Sequence, residues 1–150
     1  ITIRKVDTKD EPLAGATFLL EGSEDGSLWY PVIPGSNGVC TLGEPSEENL
    51  TAASKTSGED GLLTWEALPI TLQYRITETK APGGYTLLKD YAFVGTLPAD
   101  NIDMELRVVN GEAFALPKTG ATSLTVLPFA VISCFSICAG AILYLRKREI

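Results

Sequence analysis

Short stretches of residues 1–110 alternate apolar and polar residues, with the period of two that is typical of β-strands that bury one face. Turn residues such as Pro34-Gly35 and Asp60-Gly61 separate seven stretches of this kind. The predicted strands cover residues 1–7, 16–21, 28–33, 62–67, 71–78, 91–96 and 102–109. About seven short strands over this length predict an all-β, two-sheet sandwich. The polar stretch 43–60 is predicted to be a mobile loop.

Three of these strands place one polar residue at the end of an apolar face. Lys5 ends the apolar face of the first strand, Glu78 that of the fifth and Asn110 that of the last. Residues two apart lie on the same face of a strand. The apolar residues that share these faces are Ile1 and Ile3, then Leu72, Tyr74 and Ile76, and finally Ile102, Met104, Leu106 and Val108.

A lysine, a glutamate and an asparagine buried together can react. Burial favours the neutral, nucleophilic amine of Lys5 and the neutral acid of Glu78. The acid can donate a hydrogen bond to the carboxamide oxygen of Asn110 and relay protons while Lys5 attacks, with loss of ammonia. The product is a Lys5–Asn110 isopeptide bond between the first and last strands. The alternative is that the three are ordinary polar residues, exposed where their strands end.

A long uncharged stretch near the C-terminus predicts a transmembrane helix over residues 124–145. Its 22 residues span roughly 33 Å at about 1.5 Å per residue, enough for a bilayer core of about 30 Å. The basic residues Arg146, Lys147 and Arg148 follow directly. By the positive-inside rule, the tail 146–150 is cytoplasmic and the preceding residues 1–120 lie outside the cell. A buried helix of a soluble protein is the disfavoured alternative.

The linker 112–123 contains Leu116-Pro117-Lys118-Thr119-Gly120, followed by the hydrophobic stretch and the basic tail. This order resembles the LPxTG sorting signal of sortase substrates. Proline keeps the preceding residue extended, a conformation that a transpeptidase cleft can hold. The resemblance implies that a sortase cleaves between Thr119 and Gly120. It then transfers the Thr119 carbonyl to an amine of a peptidoglycan cross-bridge or of another pilin subunit.

Two other interpretations of this segment are less consistent with it. The pentapeptide could be a linker to a permanent membrane anchor. A glycolipid-anchor signal also has small residues before a hydrophobic tail, but such tails normally end in apolar residues, and this one ends in a basic cluster.

Composition narrows the possible functions. Of 19 acidic residues, 18 precede residue 116, against 8 of the 12 basic ones, and such an acidic domain argues against nucleic-acid binding. The chain has no histidine, and Cys40 is the one cysteine before the apolar stretch, which holds Cys134 and Cys138. We therefore expect no enzymatic turnover, no metal, no cofactor and no disulfide framework.

Because no signal peptide precedes the first predicted strand, we expect further sequence upstream.

Three segments resemble the Cna B-type domains, also called SpaA-like or prealbumin-like domains. They are Ile3-Arg4-Lys5-Val6-Asp7 with Pro12-Leu13-Ala14-Gly15-Ala16-Thr17-Phe18, then Glu78-Thr79-Lys80-Ala81-Pro82-Gly83-Gly84-Tyr85, and Val108-Val109-Asn110. The resemblance implies an Ig-like or prealbumin-like β-sandwich over residues 1–111 that stacks into surface stalks and pili. It also implies that Lys5 is the nucleophile, Asn110 the electrophile and Glu78 the catalyst of an isopeptide bond.

The chain departs from polymerising pilins of that family at Val32. Their Tyr-Pro-Lys motif supplies a lysine for polymerisation, whereas Tyr30-Pro31 is followed here by Val32. We therefore expect the wall-proximal stalk of an adhesin or accessory pilin, extracellular and anchored to the cell wall. It meets the membrane only before sortase cleavage. A ligand-binding adhesin module that uses residues 23–60, with an unidentified host ligand, and a wall anchor for an upstream enzyme are the alternatives.

Overall fold

The computed structural model describes residues 1–99 and 103–113. These residues form nine β-strands and one short helix. In chain order the elements are β1 (Thr2–Val6), β2 (Thr17–Ser23), β3 (Tyr30–Pro34), β4 (Cys40–Leu42), α1 (Glu47–Ala52), β5 (Ser54–Thr56), β6 (Leu62–Thr64), β7 (Gln73–Lys80), β8 (Phe93–Thr96) and β9 (Glu105–Val109). Each of the seven predicted strands overlaps one of these strands, and the predicted all-β sandwich is confirmed.

The strands form two sheets. The smaller has the order β6-β1-β9, in which β1 runs antiparallel to β6 and parallel to β9. The larger has the order β4-β3-β2-β7-β8, with β5 also paired to β2. The first and last strands of the described domain are therefore neighbours in the same sheet.

The core lies between the two sheets and follows the alternation of the sequence. On β1, Ile3 and Lys5 are buried, whereas Thr2 and Arg4 are partly exposed. The same alternation holds on β7, and β9 places Val108 inward. The buried apolar cluster is Ile1, Ile3, Ala16, Phe18, Leu20, Val32, Leu63, Trp65, Leu72, Tyr74, Ile76, Leu97 and Val108.

The prediction of a loop over residues 43–60 is wrong, because this stretch contains α1 and β5. The Ser46 hydroxyl accepts a hydrogen bond from the Asn49 amide and caps the start of the helix. Beyond the helix, Ala53 is fully buried, and the Trp65 indole donates to its carbonyl. β5 then extends the sheet beside β2. A helix of one and a half turns with no buried residue has too few apolar positions to show a period in the sequence.

The predicted transmembrane helix 124–145, the tail 146–150 and the start of the predicted strand 102–109 lie outside the described residues. The chain divides into two units, Ile1–Phe114 and Ala115–Ile150, and all of the described residues belong to the first. Within residues 1–99 and 103–113, no helix combines the length and the hydrophobicity needed to cross a bilayer.

Leucine truncations test the position of the core. Leu20 on β2 is completely buried, whereas Leu62 on β6 is 41% exposed. We expect Leu20→Ala to lower the free energy of unfolding by about 2–5 kcal/mol, because it removes buried methyl groups and leaves a cavity. Leu62→Ala is the matched control and should cost less than about 1 kcal/mol. Equilibrium denaturation measures both, and equal losses would contradict this core.

Candidate functional site

Lys5, Glu78 and Asn110 meet inside the sandwich, near one end of the core. Their exposed fractions are 0%, 2% and 1%, respectively. Lys5 lies on β1 opposite Val108 of β9, and Asn110 follows two residues later on the same face. Glu78 reaches them from β7 in the facing sheet. The structure therefore brings together the three residues that the sequence pattern selected from three separate strands.

The Asn110 carboxamide and the Glu78 carboxyl group form a direct contact between the two sheets. The amide nitrogen Nδ2 of Asn110 donates to both carboxyl oxygens of Glu78, each at 2.9 Å. The backbone N–H of Leu88 also donates to Oε2 of Glu78 at 2.9 Å. These donors hold the carboxyl group in one orientation against the carboxamide.

Lys5 is held by backbone carbonyls. Its Nζ donates to the carbonyl oxygens of Val6 at 3.2 Å and of Val108 at 3.1 Å. Burial lowers the pKa of Lys5 below its usual value, while the carboxyl groups of Glu78 and Asp7 oppose that shift. A neutral amine has two N–H bonds and one lone pair. The two carbonyls can accept both N–H bonds, which leaves the lone pair free to attack.

The orientation of the Asn110 carboxamide differs from the expected one. We expected a protonated Glu78 to donate to the carboxamide oxygen, but the carboxamide nitrogen faces Glu78 instead. The oxygen Oδ1 is buried and has no hydrogen-bond partner, which is costly in an apolar interior. A half-turn of the carboxamide exchanges two groups of similar size and would place Oδ1 where a Glu78 hydroxyl could donate to it.

Several groups around the site carry no signal in the sequence. The Leu88 amide and the carbonyls of Val6 and Val108 act through the backbone, whose donors and acceptors are the same at nearly every residue. Asp7 is also buried, and its carboxylate accepts from the amides of Lys9 and Glu11 in the turn after β1. The strand pattern identified the three buried polar side chains Lys5, Glu78 and Asn110 and none of the groups around them.

The other predicted site residues lie elsewhere. The sorting motif Leu116-Pro117-Lys118-Thr119-Gly120 and the basic residues Arg146, Lys147 and Arg148 are outside the described residues. Val32 is 2% exposed and points into the core from β3. Cys40 is half-buried and unpaired, and its Sγ donates to the Glu66 carbonyl at 3.3 Å. Residues 1–99 and 103–113 contain no cluster of three or more metal-ligating side chains.

Comparisons with known proteins identify the type of domain. The family model for the SpaA prealbumin-like fold domain matches residues 1–112. The fimbrial subunit type 2 of Actinomyces naeslundii is 27% identical over an alignment 173 positions long, which covers 99% of this chain and 31% of that protein. The chain therefore spans about a third of this relative.

Two solved structures have the same fold. The pilus 2b backbone protein of group B streptococcus is 27% identical with a TM-score of 0.59, over 77% of this chain and 42% of that one. A streptococcal ancillary pilin is 24% identical with a TM-score of 0.53, over 75% of this chain and 29% of that one. At that lower identity the second likeness concerns the fold alone.

The lowered pKa of Lys5 predicts how stability depends on pH when the amine stays free. In Asn110→Ala, Lys5 cannot condense and keeps its amine. The folded state then binds fewer protons than the unfolded state between the lowered pKa and the usual value of 10.5. The free energy of unfolding should therefore rise with pH across this interval. The Lys5→Met/Asn110→Ala double variant is the control, and denaturant unfolding at several pH values should show no such rise there. A parallel pH dependence in both variants would contradict the lowered pKa.

Proposed function

The chain belongs to the SpaA family of prealbumin-like fold domains, and from this premise we propose that it is a stalk domain of a surface pilin or adhesin of a Gram-positive bacterium. Its named relatives are fimbrial and pilus subunits, which are structural proteins and not enzymes. The observation that carries the proposal is the burial of Lys5, on β1 beside β9, together with the buried hydrogen-bonded pair of Asn110 and Glu78. This arrangement supports a domain reinforced by a covalent bond between its first and last strands.

The proposed reaction is a condensation within the chain. The lone pair of Lys5 Nζ attacks Cγ of Asn110 and forms the new C–N bond. Glu78 supplies a proton to the carboxamide and receives one from the attacking amine, so it ends the reaction unchanged. The Cγ–Nδ2 bond then breaks and ammonia leaves. Burial of all three groups supports this chemistry, because it lowers the pKa of Lys5 towards the neutral amine that reacts and holds the groups together.

The position of the bond gives it a mechanical role. Force that arrives from residues beyond Asn110 would pass through the isopeptide bond to Lys5 and leave along β1. The strands between them, β2 to β8, would then carry no load. Since Cys40 is the one cysteine of residues 1–113, the domain cannot close an internal disulfide, and an amide bond would reinforce it instead.

The C-terminal sequence supports attachment to the cell wall. In this proposal, the span 124–145 and the basic residues Arg146, Lys147 and Arg148 hold the precursor in the membrane. A sortase then cuts between Thr119 and Gly120 and joins Thr119 to peptidoglycan or to another pilin subunit. The buried Val32 where polymerising pilins have a lysine favours an accessory subunit or adhesin stalk over a polymerising shaft.

The intact mass of the domain tests the isopeptide bond. We expect the parent chain to be lighter than its sequence by one ammonia, and Glu78→Ala to keep its full mass because the proton relay is lost. Glu105→Ala removes an exposed carboxyl group of β9 and, like the parent, should be lighter than its own sequence by one ammonia. On the chain-entropy model for a cross-link, the bond should also add about 4–5 kcal/mol to the free energy of unfolding. A parent of full mass would refute the bond.

Cell fractionation tests the anchoring independently of the bond. In a sortase-positive Gram-positive host, we expect the parent to be released by wall-digesting enzymes and not by detergent. Pro117→Ala should move it to the detergent-soluble membrane fraction, because the extended motif is lost. Thr122→Ala lies just beyond the motif and should behave as the parent does. Recovery of the parent in detergent with residues beyond Thr119 still present would contradict sortase anchoring.

A further inference from the structure

The chain just after Asn110 is fixed by a contact that the proposed reaction does not explain. β9 ends at Val109, and the Asn110 amide makes the last hydrogen bond to β1, to the Val6 carbonyl at 3.1 Å. Beyond that point β1 turns away, since the Asp7 amide donates to the Glu11 carbonyl. The ladder between β1 and β9 therefore gives no support to the C-terminal side of Asn110.

That side is held by a short clip, which we define as the pairing of residues 84–86 with residues 111–113. Tyr85 and Glu112 form an isolated antiparallel bridge. Next to it, the Gly111 carbonyl accepts from the Thr86 amide at 3.0 Å, and the Ala113 amide donates to the Gly84 carbonyl at 2.8 Å. The Thr86 hydroxyl also donates to the Gly111 carbonyl, at 3.1 Å. Thr86 thus donates two hydrogen bonds, from its amide and its hydroxyl, to the Gly111 carbonyl.

The same loop also orients Glu78. Leu88, two residues after Thr86, donates its amide to Oε2 of Glu78. The segment 86–88 therefore makes two contacts with the site. Thr86 contacts the residue that follows Asn110, the proposed electrophile, and Leu88 contacts Glu78, the proposed proton relay. Gly111 has no side chain to limit its backbone rotation, so loss of the Thr86 hydroxyl would loosen the peptide that follows Gly111 and, through it, the position of Asn110 relative to Glu78. Small displacements of reacting groups have large effects on rate.

We propose that Thr86 is a positioning residue for the condensation of Lys5 with Asn110, acting through the Gly111 carbonyl. This inference rests on the proposed isopeptide bond and adds a residue to it. Threonine suits the role because its branched side chain restricts χ1 and keeps the hydroxyl beside its own amide, so that both donate to one carbonyl.

The rate of bond formation tests this inference. The full chain is synthesised in a cell-free reaction with detergent, samples are denatured at intervals, and the fraction that has lost one ammonia is read from the intact mass. We expect Thr86→Val, which keeps the shape and removes the hydroxyl, to slow the reaction about three- to tenfold, as the loss of one exposed hydrogen bond predicts. Thr86→Ala should be slowed as well, and Thr86→Ser should react at the parent rate.

Thr79→Val is the matched control. Thr79 is exposed, and its hydroxyl donates to the Thr17 carbonyl at 3.2 Å. This is a hydrogen bond of the same kind, but it does not involve Asn110 or the residues that follow it. A general effect on folding would slow Thr79→Val and Thr86→Val equally, and that result would overturn the positioning role. An unchanged rate in Thr86→Val would overturn it too. A parent that never loses ammonia would instead refute the proposed bond itself and this inference with it.

Discussion

The hydrogen bonds from the Asn110 carboxamide to both oxygens of Glu78 connect the two sheets inside an apolar core, and much of the arrangement of strands follows from them. A buried carboxyl group or amide without a partner costs free energy, so each group must be placed where the other can satisfy it. This requires β7 in one sheet to face β9 in the other. β9 lies beside β1 in parallel, and Lys5 and Asn110 both point into the core from this sheet.

Lys5 adds a second constraint, because its amine is completely buried and has no access to water. Burial lowers the pKa of Lys5, and the carbonyls of Val6 and Val108 accept hydrogen bonds from its amine. The site therefore favours the neutral amine of Lys5 more than water does. The unpaired Oδ1 of Asn110 is a further unfavourable feature. Formation of an amide between the two side chains would remove the amine and its cost, so the native arrangement and the reaction favour each other.

The sequence predicted the strands and the buried polar residues where the alternation of apolar and polar positions alone determined them. It failed where pairing between strands or contacts distant in sequence determined the structure. The period of two identifies β1, β7 and β9 because each buries a single face, and the same parity selects Lys5, Glu78 and Asn110. Parity does not determine which sheet a strand joins, so the parallel pairing of β1 with β9 had no basis in the pattern. α1, β4 and β5 were missed because all three are short and contain no buried residue. The contact of Thr86 with Gly111 was missed because it joins residues 25 positions apart in the sequence.

The parallel pairing of β1 with β9 also determines how this domain resists stretching, even before any covalent bond forms. The chain enters β1 at one pole of the sandwich and leaves β9 at the opposite pole, because Thr2 pairs with Glu105 and Val6 with Val109. A pull on both ends loads all the hydrogen bonds between β1 and β9 in shear at once. In an antiparallel hairpin pulled from its open end, the hydrogen bonds would instead break one after another. The topology alone therefore gives the domain resistance to a pulling force applied at its two ends.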